Sequence, residues 1–177
     1  GPFKVTFPSK EIDTIFTVGQ HILVQWDVAN TDQSPVNCKF VNIMLSNNDG
    51  LTFPDTLVYR TPNDGSEYIM LYKATTRGRV KVKAADNIFL DISKKSMRVV
   101  LPSDAGYSVD AFPHDGAPCL YSTFASQINS IQWNGFTAPI KLQITDPGND
   151  QFIIAFEKDN ILPGETIKLN VDARNVD

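Results

Sequence analysis

The chain is short of the residues that build most catalytic centres. Among 177 residues there are only two cysteines, Cys38 and Cys119, and two histidines, His21 and His114. No HExxH, GxSxG or phosphate-binding glycine loop occurs, which removes the commonest metallopeptidase, serine-hydrolase and nucleotide-binding signatures. His114 beside Asp115 is the one acid–imidazole pair, and adjacency in sequence does not aim two side chains at each other. With two cysteines and two histidines at no ligand spacing, a zinc motif is excluded. Positive charge is not in excess either. Sixteen Lys and Arg face 20 Asp and Glu, a net charge of -4, so the basic footprint of a nucleic-acid binder is missing. No apolar run approaches the roughly 20 residues that span a bilayer. Helical periodicity is absent as well, because Gly, Pro, Asn or Asp interrupts each apolar window before three turns could form.

What is present is alternation. In HILVQWDV, Ile22, Val24, Trp26 and Val28 share one face, while His21, Gln25 and Asp27 share the other. Period two predicts a half-buried strand with Trp26 as a core anchor and His21 in solvent. Further strands are expected at 14–18, 36–45, 56–60, 66–74 and 78–85. A last one runs over 88–92 and 96–101, split by the polar kink Ser93-Lys94-Lys95. That makes about seven strands with turn signals every 8 to 12 residues, the pattern of an immunoglobulin-like or fibronectin-like sandwich. LPSDAG (101–106) reads as a linker. Beyond it, strands are expected at 107–112, 119–128, 140–145, 152–156 and 167–171. Five strands make a small second sandwich that looks cut short at Asp177. The expected fold is therefore all-β: two tandem immunoglobulin-like or fibronectin type III-like β-sandwiches, over residues 3–101 and 102–177. Gly1-Pro2 looks like the scar of a cleaved purification tag.

The clearest local signal is VNIMLSNNDGLTFPDTLVYRTPNDGS (41–66), where Asp49-Gly50 and Asp64-Gly65 sit between alternating runs. Such pairs mark tight turns because Gly takes positive φ without a steric penalty. Within it, SNNDGLTF resembles the Asp-box of sialidases. Ser46, Gly50 and Thr52 match that pattern, Asn48 replaces its Asp, and Phe53 replaces its usual Trp. The box is a folding device: a short Asx side chain bonds turn N–H groups and the aromatic covers the hairpin. It occurs once, so a propeller of repeated blades is not expected.

Four binding features remain open at this stage. The outward row Arg79, Lys81 and Lys83 is either the wet face of a strand or a docking stripe for an anionic polymer. Asp27, Asp32, Asp49, Asp64, Asp86 and Asp91 fall in or beside loops, where oxygen ligands could take calcium; turn geometry alone also accounts for them. Tyr121, Phe124, Trp133 and Phe136 could stack on sugar rings if exposed, or else form the second core. Cys38 and Cys119 read as two separate thiols or as one inter-domain disulfide. A paired-carboxylate glycosidase is the enzyme class that sequence alone leaves standing.

Three segments together carry a family resemblance: QWDVANTDQSPVNCKFVNIMLSNNDGLTFP (25–54), TPNDGS (61–66) and GRVKVKAADNIFLDIS (78–93). They resemble the immunoglobulin-like module that follows the catalytic domain in secreted reprolysin-like zinc metallopeptidases of bacteria. NGFTAPIKLQITD (134–146) and LPGETIKLNV (162–171) are similar to a second sandwich module of those proteins. The catalytic HExxH domain is absent, so the resemblance implies no activity for this chain and no cofactor. It implies a secreted or cell-surface setting and an accessory role: spacer, stabiliser or substrate dock beside a neighbouring catalytic domain. Protein or polysaccharide would be the substrate. A carbohydrate-binding or adhesive surface module is the alternative.

Overall fold

The computed structural model describes residues 1–9, 15–112, 122–145 and 152–173. The chain divides into two compact units, Gly1–Pro102 and Ser103–Asp177. No helix occurs among the described residues.

Among the described residues nine strands form the first unit: β1 (Lys4–Phe7), β2 (Ile15–Thr17), β3 (His21–Asp27), β4 (Phe40–Ser46), β5 (Asp55–Pro62), β6 (Ser66–Met70), β7 (Thr75–Ala84), β8 (Leu90–Ile92) and β9 (Met97–Val100). One sheet has the order β1-β3-β6. The other runs β2-β9-β7-β4-β5, with β8 also on β7. Each sheet buries one face, as alternation requires. Val24 and Trp26 of β3 turn inward with Ile69 of β6, and so do Val41, Ile43 and Leu45 of β4 with Val80 and Val82 of β7. Trp26 is 4% exposed and His21 is exposed. The first segment of the chain serves both sheets, with β1 on β3 and β2 on β9. β2 pairs parallel to β9.

The sequence reading misses β1 and misplaces several boundaries. Residues 36–39 form no strand, because Cys38 N–H bonds the Thr31 carbonyl at 2.8 Å and closes the loop before β4. The run 66–74 ends at Met70. Leu71 instead exchanges backbone bonds with Gly19 and Gln20 at 2.7 and 3.0 Å. The last expected strand is two strands lying end to end along β7, and Ser93 is fully buried at the kink between them.

Among the described residues six strands form the second unit: β10 (Gly106–Phe112), β11 (Thr123–Trp133), β12 (Ile140–Lys141), β13 (Ile153–Phe156), β14 (Asn160–Ile161) and β15 (Thr166–Asp172). The main sheet is β10-β11-β15-β13, and β12 pairs with β14. Its core is Ile128, Ile140, Ile161 and Ile167, with Val109, Phe136, Phe156 and Leu169 packed around it. The alternation at 140–145 predicts a longer strand than the two residues that pair; Leu142 N–H still reaches the Asp159 carbonyl at 2.7 Å. β14 is too short to leave a periodic trace.

Candidate functional site

Among the described residues, the turn after β4 gathers a dense set of polar contacts. Ser46, wholly buried, accepts from the N–H groups of Asn48 and Gly50 at 3.2 and 2.8 Å. Its own hydroxyl donates to Asn48 Oδ1 at 2.9 Å. Asn48 then spans the loop: Oδ1 accepts from Thr52 N–H and Nδ2 donates to Thr52 Oγ1, both at 2.9 Å. Asp49 and Gly50 both lie in the left-handed region, at φ 66° and 87°. Short polar side chains can hold such a turn because they bond local backbone groups at low entropic cost.

A second layer ties this turn to its neighbours. The Asp49 carboxylate accepts from Ser96 Oγ and, at 3.0 Å, from Arg77. These two donors, Ser96 first, hold its carboxyl below the usual carboxylate range. Asp49 N–H also bonds the Arg77 carbonyl at 3.0 Å. Ser96 carries no sequence signal, since its partner lies 47 positions away.

The three cations of β7 do not stand as an equal row. Arg79 folds back: both Nε and Nη2 donate to the Ser93 carbonyl, and Nη1 reaches the Asp49 carbonyl at 3.4 Å. Lys81 lies over the Phe53 ring, 4.1 Å from its centroid, a cation–π contact. Desolvation there, and then the neighbouring Lys83, push its pKa down. Lys83 is the exposed member. Leu90, 46% exposed, lies opposite it, and on β4 the Phe40 ring is covered by Arg60 at 4.8 Å. Arg60 is in turn paired with Asp86 at 2.7 Å. The cationic balance belongs to the first unit, with 12 Lys and Arg against 10 Asp and Glu, whereas the second has 4 against 10. An anionic partner would therefore meet less repulsion on the first.

The six aspartates considered for calcium do not converge. Asp27 caps Ala29 N–H at 2.9 Å, Asp64 bonds Ser66 N–H at 3.3 Å, and Asp32 accepts from the Gln33 amide. Asp91 reaches across to the other sheet and accepts from Val5 N–H at 2.8 Å. Among the described residues no group of three or more His, Cys, Asp or Glu could hold a metal ion. His114, Cys119 and Tyr121 lie outside the described residues. Cys38 is buried and its thiol donates to the Phe40 carbonyl at 3.3 Å; Cys119, the other half of the disulfide alternative, lies outside the described residues.

A buried polar cluster that the sequence does not announce lies behind Trp26. Its indole N–H donates to Asn63 Oδ1 at 2.9 Å. Asn63 Nδ2 donates onward to Thr31 Oγ1 at 2.9 Å and to the Cys38 carbonyl at 3.1 Å. In the second unit, Phe124, Trp133 and Phe136 are each half-buried, and none presents a bare ring. Tyr107 packs on Phe136 at 4.9 Å, and Gly106 lies so close under Trp133 that a Cβ there would stand 2.8 Å from the ring.

Two open clefts of about 550 Å³ each occur on the first unit. One is lined by Phe7, Phe16, His21, Leu23 and Gln25, the other by Asn47, Lys73, Thr75, Thr76, Val99 and Leu101. Beside the second, Asn47 Nδ2 donates to Asp55 at 2.6 Å. Tyr72 also bonds Asp55; burial foremost, and then that carboxylate, push the phenol pKa up.

No family model matches the chain, and no curated protein matches it. Among solved structures, it overlaps the fibronectin(III)-like modules of Clostridium thermocellum CbhA, with TM-score 0.31 and 11% identity over 96% of this chain and 77% of that one. It also overlaps a Salmonella alpha-2-macroglobulin mutant, with TM-score 0.35 and 14% identity over 97% of this chain but 12% of the other. A protein of unknown function from Porphyromonas gingivalis overlaps at TM-score 0.27 and 11% identity, over 98% and 84% of the two chains. All three scores lie below 0.5, and no function passes from these proteins to this one.

Proposed function

We propose that the chain is a non-catalytic accessory region, built as two tandem immunoglobulin-like or fibronectin type III-like sandwiches, of a secreted bacterial metallopeptidase. Its role is to space, stabilise or dock substrate for a neighbouring catalytic domain. The observation that carries the reading is how its polar side chains are used. Ser46, Asn48, Asp49, Arg77, Arg79 and Ser96, the richest polar constellation described, are committed to one another and to turn backbone. A rigid, self-satisfied loop suits a scaffold rather than a reaction centre, where groups must be free to exchange protons with substrate. The resemblance of residues 25–54, 61–66 and 78–93 to metallopeptidase accessory modules supplies the parent.

The test is deletion of this region from its parent. Hydrolysis of a folded protein substrate, or thermal stability, should fall more than hydrolysis of a short peptide. The purified chain should hydrolyse neither substrate with zinc supplied, and zinc-dependent turnover by it would overturn the proposal. A carbohydrate-binding or adhesive module is the second reading. It draws on the exposed Tyr59 and Tyr68, 64% and 54% accessible, which could stack on sugar rings. Retention on an insoluble polysaccharide, lost in a Tyr59→Ala, Tyr68→Ala double variant, would favour it.

A further inference from the structure

We propose that the first unit is a load-bearing element, whose terminal strands form a shear clamp along the direction in which a tethered chain would be pulled. The inference takes its setting from the spacer reading, but its mechanics depend on topology alone. The strand nearest the exit, β9, ends at Val100, two residues before the unit boundary at Pro102. The entering segment supplies β2, which lies parallel to β9 with Ile15 opposite Arg98, Phe16 opposite Val99 and Thr17 opposite Val100. Val18 N–H adds a bond to the Val100 carbonyl at 2.9 Å.

Parallel strands pulled from the start of one and the end of the other slide lengthwise. Every bond between them is then loaded together, because the ladder bonds of a parallel pair are evenly spaced along its length. An antiparallel pair pulled apart from one end opens one bond at a time. The other half of the entering segment meets the same geometry. β1 pairs antiparallel with β3, which turns back after β2, so β1 too is dragged along its own axis. Val5 N–H is additionally held by Asp91 from the opposite sheet.

Two further features suit the pair to load. Its inner face is dry: Phe16, Val18 and Val99 are 6%, 3% and 2% exposed, while Ile15, Thr17 and Arg98 lie on the solvent side, so water is poorly placed to replace a stretched bond from the core side. It is also backed. β9 pairs on its far side with β7, which pairs with β4, so force leaving β2 spreads into the core.

The experiment holds the full 177-residue chain in an optical trap by handles on Gly1 and Ser103, so that only the first unit carries load. Unfolding should release roughly 300 Å of chain. The comparison moves the handles to Leu51 and Thr76, both exposed, which pull β4 from β7 at their shared Ser46–Arg79 end. The terminal direction should need about twice the force or more, since a shared load replaces sequential rupture. Val18→Pro, which deletes one clamp bond, should lower the terminal force by about half, while Val58→Ala on the far edge strand should change it by less than about a fifth. If Val18→Pro does not fold, the two directions in the native chain decide alone. Equal force in both directions, or a higher force between Leu51 and Thr76, overturns the clamp. Such a result would leave the hydrolysis tests of the accessory reading unchanged.

Discussion

Replacing Asn63 with alanine should destabilise the first unit more than its place in a turn suggests. Asn63 is 5% exposed and its side chain makes three hydrogen bonds: from Trp26 Nε1, to Thr31 Oγ1 and to the Cys38 carbonyl. Alanine strands the buried indole N–H, at about 1–3 kcal/mol, and removes two further bonds of about 0.5–1.5 kcal/mol each. The expected loss is roughly 2–6 kcal/mol, against the 5–15 kcal/mol typical of a whole domain. For a unit of this size that corresponds to a fall in Tm of about 10 °C or more. Urea unfolding followed by indole fluorescence measures it. In a Trp133→Phe background Trp26 is the one remaining tryptophan, so emission reports the first unit alone. A Trp26→Phe, Asn63→Ala cycle, followed by circular dichroism because Trp26→Phe removes the fluorophore, isolates the indole bond and should show a coupling of about 1 kcal/mol. A loss under about 0.5 kcal/mol for Asn63→Ala, or strict additivity in the cycle, would refute the argument.

Trp26→Ala should cost about 3–5 kcal/mol, the range for emptying a large aromatic site, and unfolding at the native temperature would show the inward register of β3 to be wrong. Gly50→Val should be more damaging than a typical surface change, because φ is 87° and the new side chain would crowd Arg79; Asn48→Ala should cost about 1 kcal/mol in the same urea assay. Asp49 and Glu165 both have folded pKa values below the ordinary range, Asp49 through Ser96 and then Arg77, Glu165 through Lys158 and then the Leu162 N–H. Their stabilisation is therefore present above about pH 4 and is lost as pH falls through the folded values. A Tm series from pH 6 to pH 2 should decline, less steeply in Asp49→Asn, and identical slopes would count against the assignment.

Much of the first sheet face was readable because period two leaves a direct trace. Ile22, Val24 and Trp26 alternate in sequence and face inward, and Asp49-Gly50 both reads as a turn and forms one. The unreadable parts depend on distant partners. β1 is four residues long and gains its identity from Asp27 and Trp26, more than 20 positions away. Asn63 looks like ordinary turn chemistry until the fold brings Trp26 to it across 37 positions. The row Arg79, Lys81, Lys83 shows the opposite failure: alternation sets the side of the sheet, but not that Arg79 bends back to Ser93 or that Lys81 settles on Phe53. Those outcomes depend on the kink and on the turn folding against β7.

The free thiol of Cys38 makes the 31–39 loop its own clock. An alkylating reagent cannot reach the thiol of a residue that is 4% exposed until that segment lifts. Lifting it breaks the Cys38 N–H bond to Thr31 and the Asn63 bond to the Cys38 carbonyl. With Cys119 replaced by serine, the labelling rate at low reagent reports how often this segment opens while the rest of the unit stays folded. Native breathing of the Trp26 pocket thus becomes countable in minutes or hours by mass, with no probe added to the chain.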